Sequence, residues 1–367
     1  MTELEQATAP EATALATHLR TARLIPYLGV LTPQHFDSPQ AEIAAIFTAA
    51  AVHDLGWLRR IALRGEDRYR WLSGMVTNAV ETLPDKTGAY NLVLNAQGRI
   101  QGDLEVWRDG DNLEIEVTAE QSEALLAHFD KFIIMDDVEL APVTGHSALG
   151  LTGPEAHEIL TALGLTPLPE PMTSAAGSIA EIPIRLFRTY GVIVPHYTLW
   201  TSTEHTEALW QALQSAGAKP AGAAALESLR IAEGIPAYGI DIQSRDLAQE
   251  TAQTRALNFT KGCYLGQEIV ERIRSRGQVH RHLRSLELIP SNPVELPTPG
   301  AELRLEGSPA EAKPAATLTS VSTLPLPGGE RHFAIAMVRA EAEIGNRTLT
   351  WPGGAAKILT SPPNVAS

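Results

Sequence analysis

The stretch YNLVLNAQGRIQGDLEVWRDGDNLEIEVTAE, residues 90–120, decides the fold class. Apolar residues alternate at Leu92 and Leu94, at Leu104 and Val106, and at Leu113, Ile115 and Val117. Between these runs stand a turn at Gly98 and the turn signal Asp109-Gly110-Asp111-Asn112. A period of two puts every second side chain on one face, and such short connections join antiparallel neighbours. A doubly wound core would instead need crossovers of about a dozen residues or more between parallel strands. Hairpins therefore dominate, and the fold class expected is α+β.

Working outward, AVHDLGWLRRIALRGEDRYRWLSGMVTNAV (51–80) reads as a strand from Trp57 to Leu63, a turn at Gly65, and a helix from about Asp67 with Tyr69, Leu72 and Met75 or Val76 on one face. Thr118 and Gln121 have the spacing of a capping box before a helix carrying Leu125, Leu126, Phe129 and Phe132. A further helix starts at Pro154 and stops at Gly164. Leu165 to Gly177, rich in Pro, Thr and Ser, reads as a surface loop, and strands resume at Ile182–Leu186 and Val192–Val194. Helices are expected over 204–215 and 222–233, the second ended by Gly234 with Pro236 beyond. From His282 onward, short apolar alternations cut by Pro and Gly suit a β-barrel or sandwich of about 80 residues. The expected organisation is a flexible N-terminus over 1–23, an α+β region over 24–280 in two parts that meet near 145–180, and a C-terminal β-barrel over 281–360.

At 367 residues and a formal charge of −14, the chain is unsuited to broad attraction to nucleic acid or anionic membranes. Its single cysteine excludes an internal disulfide, which fits a reducing compartment, and cannot ligate an iron–sulfur cluster alone. The N-terminus lacks a signal pattern and no apolar run of ~18 residues occurs, so a cytoplasmic location is expected. With 5% aromatic residues there is no obvious interface patch, and a monomer is the default. No metal site is evident: His280 and His282 alternate beside arginines, which suits an anion-facing basic edge better than a ligand pair.

The lone Cys263 sits in FTKGCYLGQEIVERIRSRGQVHR, residues 259–281. Gly262 and Gly266 imply a bent backbone around it, and Lys261 would favour its thiolate. From Lys261 to Arg284 six Lys or Arg stand against two Glu, a setting that would draw an anionic ligand. Arg272, Arg274 and Arg276 recur at period two and, on a strand, would point together at a carboxylate chain or phosphates.

The run KGCYLGQE (261–268) resembles the signature K-G-C-[FY]-x-G-Q-E of the YgfZ-type folate-binding proteins, relatives of the glycine cleavage system T-protein, an aminomethyltransferase. LRGEDRYRWLSGMVTNAV, LNAQGRIQGDLEVW, LTGPEAHEIL and LESLRIAEGIPAYGIDI are similar to family segments in the same order, so the resemblance spans about residues 50 to 340. It implies a T-protein-like multidomain fold around a central channel for tetrahydrofolate or a derivative. It also implies a role in assembly or repair of iron–sulfur clusters in client enzymes, including tRNA-modifying ones, with those client or assembly proteins as partners.

Carried over by position, the resemblance implies Cys263 and Asp103 as reacting groups. Met75, Asn95, Val117, Tyr190, Arg230, Lys261, Tyr264, Gln267 and Glu268 are implied folate contacts, and Arg272 joins them from the arginine row. Two departures stand out. The T-protein pattern has two adjacent aspartates where this chain has Asp103 alone, and the acid that grips the pterin has its place at Thr198, leaving Glu227 or Glu233 to serve instead. Three functions result: a folate-binding cluster-maturation factor, a folate-dependent one-carbon transferase or demethylase acting through Asp103, and an interaction scaffold with a decayed folate site.

Overall fold

The computed structural model describes residues 9–19, 22–291, 296–309, 311–326, 328–345 and 347–365. Its meander is the centre of a five-stranded antiparallel sheet in the order Gly88–Leu94, Ile100–Asp109, Asn112–Thr118, Leu58–Arg64, Glu139–Pro142. The helices Arg68–Met75 and Ala119–Asp130 cover one face, where Leu72, Met75, Leu125 and Phe129 pack on Val93, Leu104, Val106, Ile115 and Val117. The alternation thus sends Leu104, Val106, Leu113, Ile115 and Val117 to the helices, whereas Leu92 and Leu94 pack in another core with Leu229 and Phe333, and Val93 takes the helix-facing place in that strand. The meander's polar set, including Asp103, Glu105, Glu114 and Glu116, turns to a second sheet rather than to water, as the contacts of Trp107 with Phe187 (ring centroids 4.8 Å apart) and of Trp200 Nε1 with Glu116 (2.8 Å) record.

That second sheet runs Thr173–Ile179, Ile182–Thr189, His196–Ser202, His146–Thr152, Ala51–Asp54, Lys219–Ala221, the last pair parallel. The third body is a closed barrel of six strands: Arg281–Pro290, Gly329–Arg339, Ala316–Leu326, Glu302–Leu305, Leu349–Trp351 and Gly354–Ile358. A core of Ile46, Leu92, Leu229, Ile231, Leu283 and Phe333 joins sheet, helix and barrel. Polar welds reinforce it: Arg230 on the helix Ala223–Glu233 bonds Asp241 (2.6 Å), and Asp241 in turn accepts from Thr319 (2.5 Å) and Ser320 (2.7 Å) of the barrel. The chain is α+β, two sheets with their helices followed by a closed C-terminal barrel.

Several local expectations are corrected. Within the N-terminal stretch read as flexible, residues 9–19 are packed: Thr13 caps the helix Ala14–His18 and bonds Asp54, and Leu15 is fully buried. Residues 1–8, 20 and 21 of that stretch lie outside the described residues. The loop read over 165–177 becomes strand from Thr173 by pairing with Arg188. Val192–Val194 is no strand, because its amides donate to the Glu233 carboxylate instead of to a neighbouring strand. The arginine row lies on a helix, Gln267–Arg276, whose only buried residue is Val270. A helical turn of 3.6 residues spreads period-two side chains around the axis, so Arg272, Arg274 and Arg276 do not share one face.

Candidate functional site

Between the two sheets lies a cavity of about 310 Å³, within the size range of small-molecule sites. The five-stranded sheet contributes Tyr90, Asp103, Glu105, Glu116 and Val117, and the six-stranded sheet His53, Thr152 and Thr198. Loop residues Tyr190, Ile235, Pro236 and Arg255 complete the wall, with Trp57 and Leu58 adding apolar surface.

Asp103 is held from both sides. Tyr90 donates its hydroxyl to Oδ2 (2.7 Å) and Gln121 its amide to Oδ1 (2.9 Å), while Gln121 Oε1 accepts from the Asp103 backbone (3.0 Å). Gln121 also reaches Thr118 Oγ1 (3.1 Å), so the capping-box spacing marks the helix start, but no side-chain cap forms and the amide is diverted to the site. Burial raises the Asp103 carboxyl above its ordinary range, and the Tyr90 and Gln121 bonds pull it part of the way back. Such a carboxyl keeps its proton to higher pH than an exposed one.

Arg255 is the cavity's cation, and sequence reasoning missed it. Its guanidinium lies between two rings, 4.1 Å from the Tyr90 centroid and 3.9 Å from that of Tyr190. Stacking of this kind fixes the fork, whose Nε donates to Gln253 (3.3 Å), and leaves the terminal N–H groups for a carboxylate or phosphate. The isolated arginine in TAQTRALNF carries no local signal, since both rings come from distant strands and loops.

Glu105 and Glu116 face each other as register partners, with Tyr90 opposite Glu105 and Arg60 opposite Glu116, a polar row across four strands. Glu116 accepts from Trp200, whereas Glu105 Oε2 is buried without a partner. Burial first and the neighbouring Glu116 charge second push the Glu105 carboxyl up to about 7. On the opposite wall His53 bonds Thr152 (2.9 Å) and is held neutral at about 3, by burial and by the adjacent His196.

The remaining site residues named from sequence fall into two groups. Val117 and Tyr190 line the cavity with Asp103, while Met75 lies in the helix-covered core. Thr198 does line the cavity, and no acid replaces it from the two positions considered: Glu227 bonds Tyr27 and Arg230, and Glu233 holds the amides of 192–194 and His196. Arg230 lies behind the wall, where it bonds the carbonyl of Ile235 (2.6 Å). Asn95 shapes the hairpin tip, accepting from the amides of Gln97 and Arg99.

The loop 261–268 is a pedestal outside the cavity lining. Lys261 Nζ donates to the carbonyls of Ser73 (2.5 Å), Val76 (2.6 Å) and Asn78 (2.7 Å), tying the loop to the end of the helix Arg68–Met75. Tyr264 is buried and bonded through its amide to Gln267, and Gly266 takes φ +81° where a Cβ would stand 2.5 Å from the Asn95 carbonyl. Cys263 is left exposed at the top, and Glu268 and Arg272 are exposed on the following helix. The basic run is largely neutralised within the molecule, as Arg281 pairs with Asp246 and Glu250, Arg284 and His282 with Glu343, and Arg274 with Glu271. Among the described residues no group of three or more His, Cys, Asp or Glu is disposed to hold a metal ion, and no helix is long and apolar enough to cross a membrane.

Comparison with known proteins agrees with this arrangement. The model of the GCVT N-terminal domain family matches residues 16–261. An aminomethyltransferase of Rubrobacter xylanophilus is 29% identical over 266 residues, covering 70% of each chain. One from Thermus thermophilus is 30% identical over 239 residues, 64% of this chain and 67% of that one. The glycine cleavage system aminomethyltransferase T from Bartonella henselae has the same fold, with a TM-score of 0.82 over 96% of this chain and 98% of that chain at 19% identity.

Proposed function

Because the chain belongs to the GCVT N-terminal domain family, within the T-protein superfamily of aminomethyltransferase-like proteins, we propose that it holds tetrahydrofolate or a derivative in the inter-sheet cavity and serves as a YgfZ-type factor for iron–sulfur proteins. The residues present suit that ligand. Apolar surface from Trp57, Leu58 and Val117 suits a ring system, the carboxyls of Asp103 and Glu105 suit ring N–H groups, and Arg255 suits an acidic tail. When bound, the folate would supply a nitrogen able to carry a one-carbon unit.

One observation carries the maturation role. Of the KGCYLGQE run, Lys261, Tyr264, Gly266 and Gln267 are consumed in building and anchoring the loop, and the sole thiol of the chain is what the loop presents to solvent. A rigid mount for one accessible thiol suits contact with an iron–sulfur client or assembly protein better than a core packing role. The test is complementation: in cells lacking the protein, wild type is expected to restore an iron–sulfur enzyme's activity and Cys263→Ala is expected not to. Equal restoration by both would sink the maturation role.

A second reading, one-carbon transfer, draws on Asp103, whose double support by Tyr90 and Gln121 is that of a positioned proton holder. Formaldehyde release from a methylene donor that depends on tetrahydrofolate and disappears in Asp103→Asn would favour it.

A further inference from the structure

We infer that Glu105 is the residue by which the cavity reads its ligand, its carboxylate accepting a pair of N–H donors on the ligand's ring, one of them at the oxygen that has no partner within the protein. The inference rests on the folate reading of the cavity and specifies how that ligand is recognised in this chain.

Four observations converge on Glu105. It lines the cavity, and its Oε2 is buried with no hydrogen-bond partner, a costly state that a ligand donor would relieve. The Trp107 indole N–H, two residues along the same strand, and the Arg255 guanidinium both favour the ionised carboxyl, yet neither completes a hydrogen bond to Oε2, and the Trp107 N–H is itself buried without a partner. Glu116, its register partner, is itself an acceptor and already takes Trp200 Nε1, and Tyr90 across the other strand pair gives its hydroxyl to Asp103. The opposite wall carries Thr198, a neutral residue, so the cavity has no competing carboxylate on that side. The acids behind the wall, Glu227 and Glu233, are committed to Arg230 and to the 192–194 amides.

A carboxylate takes two adjacent N–H groups in a paired geometry, and a pterin offers an amino group beside a ring N–H. Ring recognition thereby passes to the strand Ile100–Asp109, two residues along from Asp103 and on the same face. The ligand's reacting edge and its donor edge would be read by one strand. The carboxyl's high affinity for a proton in the empty cavity adds a thermodynamic mark, since accepting ligand donors favours the ionised form and must expel that proton.

The test compares tetrahydrofolate with p-aminobenzoylglutamate, which keeps the tail and lacks the pterin, by calorimetry on the wild type, Glu105→Gln and Glu105→Leu. Both variants are expected to weaken tetrahydrofolate at least 10-fold and to change the tail fragment less than 2-fold. In the wild type, titrations in buffers of different ionisation enthalpy are expected to show proton release at pH 6 that vanishes at pH 8 and is absent in Glu105→Gln. The empty Glu105→Leu protein is expected to melt higher than wild type, whereas loss of a merely structural carboxylate would lower the melting temperature. Tetrahydrofolate bound equally by all three proteins would overturn the inference and leave the folate reading standing. No binding by the wild type at millimolar ligand would overturn both.

Discussion

The Tyr90 hydroxyl donates to Oδ2 of Asp103 across 2.7 Å, from a strand position whose register partner is Glu105 rather than Asp103. The bond is therefore diagonal, and it places a donor on a buried carboxyl of the cavity wall. Tyr90→Phe removes a bond that favours the charged form, so the Asp103 carboxyl is expected to rise further. Any folate-dependent transfer that needs ionised Asp103 would then show its acidic limb shifted to higher pH, and a pH–rate profile of the variant beside wild type checks this. An unmoved limb would separate Asp103 from the reaction.

Stability should carry the signature of Glu105. Its carboxyl lies near 7 in the folded protein against 4.5 ordinarily, so between these values the folded state holds a proton that the unfolded state has lost. Stability is then fully present below about 4.5 and falls as pH rises through about 7, by at most about 3 kcal/mol. Urea melts of the ligand-free protein from pH 5 to 8 are expected to show this decline, and Glu105→Gln to flatten it.

Arg255 and Arg272 should separate cleanly. Truncating Arg255 to Ala removes the cation held between Tyr90 and Tyr190 in the cavity, and is expected to weaken tetrahydrofolate about 10- to 100-fold, roughly 1.4–2.7 kcal/mol. Arg272→Ala, on an exposed helix outside the cavity lining, should stay within about 2-fold. Calorimetry with the mono- and polyglutamate forms decides between them, and a larger loss in Arg272→Ala would return the tail to the helix.

Lys261→Met should cost stability, because three carbonyls lose a charged donor; about 2–4 kcal/mol is expected. Cys263→Ala, at an exposed position, should lie within about 0.5 kcal/mol of wild type. Denaturant melts test both, and a thiol reagent should label native wild-type protein at one site without denaturant. Resistance of Cys263 to the reagent would mean that the pedestal hides what it was inferred to present.

The sequence made the α+β class legible through the alternation of residues 90–120, and the barrel through its chopped apolar runs, because both depend on local period and turns. It also named Asp103, Val117 and Tyr190, which meet in one cavity. What local reading could not supply was the partner across the gap. Gln121 looks like a helix cap until the fold brings the Asp103 backbone to it, and Lys261 looks like a modifier of its neighbouring thiol until the helix Arg68–Met75 offers its free carbonyls. Arg255 and Glu105 were not singled out, and nothing in the period-two pattern says that the polar face of the meander is the wall between two sheets. Arg272, Arg274 and Arg276 were misjudged through the wrong period, since the residues around them support a helix as well as a strand.

The Asp241 weld bears on how this molecule can change over evolutionary time. One carboxylate bonds an arginine of the helix Ala223–Glu233 and two hydroxyls of the barrel, and the same arginine grips the carbonyl of a residue that lines the cavity. The barrel is thus not a module to be exchanged or shed at will. A lineage that replaced it would have to carry Thr319 and Ser320 along or rebuild the cavity wall behind Ile235. Drift in the barrel is thereby constrained by the wall of a cavity that the barrel itself does not line.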